Sequence, residues 1–263
     1  MKAIPKFKKV RVKARWKLAV KVIPIVAGIV LIKFLVHYLG YEFLSLNSLF
    51  TAIISANIFL IGFLISGVLV DYKESEKIPG DMASSIETLA DEGFIMIKGK
   101  NSNVAKDYLK SLSEFNTAII NWFYKKERTE SLMNKLYDFN NYFLAFETIT
   151  QPNFIVRLKQ EQSIIRKLIN RSHTIRETSF LGTGYAIVEI ITGILCFGMV
   201  FIKIDPFYES MFFVFFVSFI LVYMIFFIKD LDNPFGYNEE SLVEEVSLKP
   251  LLDSQKRIDS HIK

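Results

Sequence analysis

Residues 43–70 read FLSLNSLFTAIISANIFLIGFLISGVLV, 28 positions without a charged side chain, and DYKESE follows at 71–76. As an α-helix this run is about 42 Å long, against a hydrocarbon core of about 30 Å. The segment is therefore long enough to cross a bilayer, and its excess must tilt, break or project into water. It also carries more polar groups than contact with lipid requires: Ser45, Asn47, Ser48, Thr51, Ser55, Asn57 and Ser66. At about 100° per residue, Ser48, Ser55, Phe59, Gly62 and Ser66 fall within about 60° of one another, and Phe63 borders the same face. Two readings of this stripe stand. Gly62 and Ser66 form a small-xxx-small pair suited to close helix packing. Alternatively the stripe lines a pore, with Phe59 and Phe63 as an apolar constriction that gates by dewetting. Packing accounts for the small residues but not for the two rings among them.

Three further segments extend this reading. Residues 18–39 form a first span with Lys33 in its outer half, and residues 180–202 a third, interrupted by Glu189. Residues 210–228 form a fourth that is uncharged and rich in Phe. No small-residue cleavage site follows the first segment, so it is read as a helix rather than a signal peptide. The composition agrees: 51% of the chain is hydrophobic, with 25 Phe and a mean hydropathy of +0.31. That excludes disorder, and the single cysteine, Cys196, excludes a disulfide scaffold.

The charges orient the chain. The formal net charge is +5, yet Lys2, Lys6, Lys8, Lys9, Arg11, Lys13, Arg15 and Lys17 all precede the first acidic residue, Glu42. The protein is otherwise slightly acidic, with a basic arm directly before an apolar span. Such an arm fits an anionic membrane surface better than nucleic acid, and no nucleic-acid partner is expected. Basic residues are sparse in the links between spans one and two and between spans three and four. The positive-inside rule then places both termini and the long middle stretch in the cytoplasm. The expected organisation is a basic cytoplasmic arm at 1–17, spans one and two at 18–72, a cytoplasmic helical domain at 73–178, spans three and four at 179–229, and a cytoplasmic tail at 230–263. The fold class is all-α: four transmembrane helices with a helical cytoplasmic domain inserted between the second and third, in the plasma (inner) membrane.

The middle stretch holds 16 basic and 14 acidic residues and shows helical stripes. Ile86, Leu89, Phe94 and Ile97 recur along the first. Tyr108, Leu109, Leu112, Phe115, Ile119, Ile120 and Phe123 make the second, and Leu132, Leu136, Phe139, Tyr142, Phe143 and Phe146 the third. Ile155, Leu158, Ile164, Ile165, Leu168 and Ile169 make the fourth. Breaks are expected at Pro79-Gly80, at 99–102, near 127–129 and at Gln151-Pro152. No sustained alternation points to a sheet in this stretch.

Catalytic chemistry has little to stand on. His37, His173 and His261 are far apart, and no zinc motif, phosphate loop or nucleophile elbow occurs. The carboxylate pairs Asp91-Glu92 and Glu74 with Glu76 are read as surface groups. A lipid-acting enzyme would have only Glu74, Glu76 and His173 to use. The expectation is no enzyme, no cofactor and no metal. Lys33 and Glu189 are costly in hydrocarbon and mark either function or a buried partner. An ion pair between them is one expectation; Lys33 snorkelling outward toward His37 is the other.

Four features together resemble the bestrophin and bestrophin-like anion channel family. The order of spans and inserted helical block is similar. Phe59, Gly62 and Phe63 look like the family's pore neck, running on into Asp71-Tyr72-Lys73-Glu74-Ser75-Glu76. Leu231-Asp232-Asn233-Pro234-Phe235-Gly236-Tyr237 is similar to the Asn-Pro-Phe-Gly sequence that follows the last span. Val246-Ser247-Leu248 to Leu251-Leu252 resembles the extended arm beyond it. The resemblance implies a pentamer whose second span lines a central pore, with Ser55, Phe59 and Phe63 in line. Ser55 stands where the family has a bulky apolar residue, and the basic, Trp-rich stretch beyond the neck of animal bestrophins is replaced by Val68-Leu69-Val70-Asp71. Asn238-Glu239-Glu240 is weaker than the family's calcium clasp, so no calcium gating is expected. The function expected is an oligomeric membrane channel for small anions such as chloride, with Ser48, Ser55, Phe59, Gly62, Phe63 and Ser66 lining its pore and membrane lipids around it. The alternative is a four-span scaffold or signalling protein whose cytoplasmic helices bind a partner.

Overall fold

The computed structural model describes residues 16–178, 182–237 and 245–262. Most of the basic arm and Asn238-Glu239-Glu240 lie outside the described residues. The helices are α1 (Lys17–Tyr38), α2 (Ser48–Lys100), α3 (Asn103–Phe123), α4 (Thr129–Phe146), α5 (Pro152–Glu177), α6 (Gly182–Val200), α7 (Phe207–Leu231) and α8 (Lys249–Ile262). Strands β1 (Leu44–Ser45) and β2 (Ile202–Lys203) form a parallel pair with Leu44 opposite Ile202. The chain divides into two units, one built on the apolar helices and one on the polar ones, and α2 supplies residues to both.

In the first unit, four helical segments are long and apolar enough to cross a membrane: α1, α2, the segment ending at Val200, and α7. Many large apolar side chains face outward on them, among them Leu31, Ile190, Phe197 and Phe212, as lipid-facing helices require. The interior core is small: Val22, Val26, Cys196, Met199, Ile202, Val214 and Val222. Gly40 turns the chain after α1 with φ +74°, a conformation that costs a side-chain-bearing residue free energy. The second span starts later than its apolar run, at Ser48, because Asn47 Oδ1 accepts the Phe50 N–H at 2.9 Å and caps the helix. The residues before it are held in the β1–β2 pair instead.

The second unit has a continuous core, dominated by Tyr108, Phe115, Phe139, Phe143, Phe146 and Phe235. Several of its rings meet edge-on, as Tyr108 and Phe146 do at 5.2 Å between centroids, a favourable aromatic geometry. The helical stripes face this core, except Ile164, which is exposed. No strand occurs in this unit among the described residues. Three of the four expected breaks are present. Ser102 caps α3 by accepting the Ala105 N–H, residues 124–128 separate α3 from α4, and Pro152 opens α5 at a position where its missing N–H costs nothing.

The fourth is not. The expected break at Pro79-Gly80 is replaced by uninterrupted helix, and α2 runs through Pro79 for 53 residues in all. Proline removes one donor from the ladder, but Ile78, Met82, Ala83 and Ile86 around it are buried. Packing outweighs the lost bond. Further along, Gly93 lets α2 approach α3 closely, since a β-carbon there would lie 2.8 Å from Leu109 Cδ2.

Candidate functional site

In the first unit, α2 has two different faces. Asn57, Ile61, Leu64 and Val68, spaced four, three and four residues apart, are buried. Asn57 Nδ2 donates to Thr192 Oγ1 at 2.9 Å and ties α2 to α6. The opposite face carries Ser55, Gly62 and Ser66, all exposed, with Phe59 and Phe63 exposed at 73% and 60%. Ser48 is exposed at the helix start. Ser55 Oγ donates to the Thr51 carbonyl at 3.0 Å, so its hydroxyl is satisfied along its own helix. A β-carbon on Gly62 would meet nothing within 4 Å. Among the described residues, therefore, the small-xxx-small pair makes no helix packing contact. The close contacts of α2 are made from its other side, by Asn57.

The two intramembrane charges do not pair with each other. Lys33 is fully buried, and its Nζ lies 2.5 Å from Glu42 Oε1; it also donates to the Ile202 carbonyl. The second carboxylate oxygen of Glu42 meets His37 Nδ1 at 2.9 Å, and the His37 ring stacks on Phe207 at 3.7 Å. Burial opposes ionisation of Glu42, but the ammonium of Lys33 and the ring of His37 outweigh it and hold the carboxyl below its usual range. Glu189 instead meets Lys229 near the end of α7 at 2.7 Å, both side chains partly exposed. The turn at Gly40 brings Glu42 back to Lys33, so Lys33 neither snorkels nor reaches across to α6. Both intramembrane charges are neutralised by residues at the ends of helices and in the connecting loop.

In the second unit the carboxylate pairs separate in role. Glu92 is buried, with its side chain 3% exposed, and Arg157 Nη1 lies 2.5 Å from its Oε1; Glu92 Oε2 has no partner among the described residues. It is not the surface group that its neighbour Asp91 suggested. Burial first and the Glu92 charge second hold the nearby Tyr108 phenol well above its usual range, and its hydroxyl donates to the Leu89 carbonyl at 3.2 Å. Glu74 is clamped with Asp71 by Arg171: Nη2 lies 2.5 Å from Glu74 Oε2 and 3.1 Å from Asp71 Oδ1. The Arg171 bonds hold the Glu74 carboxyl below its usual range. His173 lies 3.5 Å from Thr129 Oγ1, which also accepts the Trp122 Nε1–H at 3.0 Å. Glu76 is exposed. Cys196 is a buried free thiol. Among the described residues no three His, Cys, Asp or Glu side chains converge as a metal site would need.

The segment after α7 is structural. The helix ends at Leu231, two residues before Asn233-Pro234. Phe235 is fully buried and packs 5.2 Å from Phe123. Pro234 accepts the Val246 N–H at 3.0 Å, and Tyr237 Oη donates to the Val246 carbonyl at 2.7 Å. The arm beyond is shorter than expected: residues 245–248 are non-helical, and Leu251 and Leu252 already belong to α8. Asn116 on α3 donates to the Leu251 carbonyl at 3.1 Å and fixes that helix.

Solved structures share this arrangement. A variant of the bacterial bestrophin homologue from Klebsiella pneumoniae superposes with a TM-score of 0.76 at 14% identity, over 92% of this chain and 98% of that one. A form of the same homologue phased with zinc gives 0.71 at 12% identity, over 94% and 97%. A structure described as a membrane protein gives 0.73 at 14% identity, over 90% and 96%. No family profile and no curated protein matches the sequence. The chain thus has the fold of the bacterial bestrophin homologues, and with four apolar helices of spanning length it is an integral membrane protein.

Proposed function

We propose that the protein is a homo-oligomeric ion channel for small anions, a pentamer with α2 lining the central pore. One observation carries this reading. The face of α2 that bears Ser55, Phe59, Gly62, Phe63 and Ser66 is exposed and has no packing partner among the described residues, while Asn57, Ile61, Leu64 and Val68 on its opposite face are buried. A lipid-facing helix gains nothing from serines and glycine, whereas a pore needs small hydroxyl-bearing positions for hydrated ions and an apolar ring to gate them. The fold shared with bestrophin homologues supports the same assembly. In this reading the second unit and both termini are cytoplasmic, following the basic residues, and the membrane is the plasma (inner) membrane.

The test is flux. Purified protein in liposomes should pass chloride over sodium or potassium, and Phe59→Ala with Phe63→Ala should raise chloride flux at least severalfold by opening the constriction. Native mass of the detergent-solubilised protein should correspond to five chains. Absence of flux, equal cation flux, or a monomer or dimer would refute the reading.

A further inference from the structure

Between α4 and α5, wholly within the second unit, lies a groove of about 560 Å³ lined by Met133, Asn134, Tyr137, Asn140, Lys159, Gln162 and Arg166. Its lining includes two cations and no carboxylate. Neither cation reaches a carboxylate elsewhere among the described residues, whereas Lys135, on the same helix α4 but outside the lining, pairs with Glu127 at 3.0 Å.

The hydrogen-bonding inventory of the groove is weighted toward cationic donors. Arg166 presents five N–H donors and has no partner among the described residues. Lys159 uses one of its three donors on Asn140 Oδ1, and its Nζ lies 5.4 Å over the Phe143 ring. That bond turns the Asn140 carbonyl toward the lysine and leaves the Asn140 amide N–H groups free to donate. Gln162, almost wholly buried, donates its amide nitrogen to the Leu136 carbonyl at 2.7 Å and keeps Oε1 as an acceptor in the lining, which the two cations outweigh. Asn134 and the Tyr137 hydroxyl add further donors at the rim. Lys159 and Arg166 are seven residues apart on one face of α5, about 10.5 Å along the axis. Their long side chains can converge on one ligand or hold its two ends. Clustered unused donors of this kind suit a species with several acceptor oxygens and more than one negative charge.

We propose that the α4–α5 groove binds a multivalent oxyanion, through Lys159 and Arg166 with Asn140, bonded to Lys159, as a neutral donor. The ligand class is a small molecule bearing phosphate or clustered carboxylate groups. This site is separate from α2 and does not depend on a pore: binding is read on the full-length protein in detergent, without any flux.

Isothermal titration at fixed ionic strength with inorganic pyrophosphate and with citrate, using chloride as the monovalent control, tests it. At least one of the two multivalent anions should bind saturably and at least tenfold more tightly than chloride. Lys159→Gln with Arg166→Gln should raise its Kd tenfold or more. Asn140→Asp, which puts a carboxylate against Lys159, should weaken binding in the same direction. Lys135→Gln, outside the groove, should leave the Kd unchanged. Thermal melting of each variant confirms that it is folded. The proposal is overturned if neither anion binds saturably, if the double variant binds within twofold of the parent, or if Lys135→Gln weakens binding as much as the double variant.

Discussion

Replacing Arg157 by Ala should destabilise the protein through the charge it leaves behind. Glu92 is 3% exposed and Arg157 is 58% exposed, and Glu92 Oε2 has no partner among the described residues. Without the guanidinium, the carboxylate is a buried charge without compensation. Breaking a buried pair from one side costs about 3–5 kcal/mol. The low end applies here, because more than half of Arg157 already faces water, which can partly follow into its place. With about 3 kcal/mol lost and about 2–4 °C per kcal/mol for a chain of this size, the midpoint of thermal inactivation should fall by about 6–12 °C. The assay is the fraction of protein that stays monodisperse on size exclusion after heating in detergent. Two further variants locate the cause. Glu92→Gln added to Arg157→Ala should recover most of the loss, because a neutral amide needs no cation. Lys135→Ala, which breaks an exposed pair, should cost at most about 1 kcal/mol. If Arg157→Ala melts within about 2 °C of the parent, or if Glu92→Gln does not rescue it, the buried charge is not what Arg157 compensates.

Phe235→Ala removes a fully buried ring that packs on Phe123 and should cost about 3–5 kcal/mol, measured by the same heating assay; a loss below about 1 kcal/mol would mean that the segment after α7 is not anchored there. The Arg171 clamp should give the stability a pH slope. The folded-state carboxyl of Glu74 is held below its ordinary 4.5, so its contribution is complete above about pH 4.5 and fades as the pH falls through the lower folded-state value. Arg171→Met should remove that part of the slope, and identical pH–stability curves for parent and variant would contradict it. Gly62→Ala meets no neighbour within the chain and should stabilise the isolated chain by about 0.5–1 kcal/mol through helix propensity; a change in flux or in native mass would show that the position faces a pore or another copy.

The spans were legible because membrane crossing is written in runs of composition, and the positions of Lys33 and Glu189 along their own helices could be counted. Their partners could not. Counting gives depth along one helix but not the direction a neighbouring loop takes, and it was the turn at Gly40 that returned Glu42 to Lys33. Glu92 was misread for a related reason. Asp91 and Glu92 are adjacent in sequence, yet neighbours on a helix point about 100° apart, so one can be solvated while the other meets Arg157, 65 positions away. Pro79 failed as a break because the rule weighs one lost hydrogen bond, whereas the outcome depended on burial on both sides of it, which no local pattern carries. The α4–α5 groove had no motif at all: its residues come from two helices and share only a surplus of unused donors.

The stripe on α2 shows how a structure of one chain narrows a question that sequence left open. Small residues at Gly62 and Ser66 admitted two explanations, packing and pore lining. Among the described residues packing does not use that face: α2 docks through Asn57, Ile61, Leu64 and Val68, and a β-carbon at Gly62 would contact nothing. What remains for that face is lipid, another copy of the chain, or an aqueous lumen. Lipid is the least consistent with its chemistry. Ser55 turns its hydroxyl onto the Thr51 carbonyl, and a glycine at Gly62 lowers helix stability relative to alanine with no contact in return among the described residues. Both features fit the proposed pore, where water or another copy of the chain would use the room those residues leave. The Phe59 and Phe63 rings project from that same face, and a symmetric assembly about it would gather them into rings one helical turn apart.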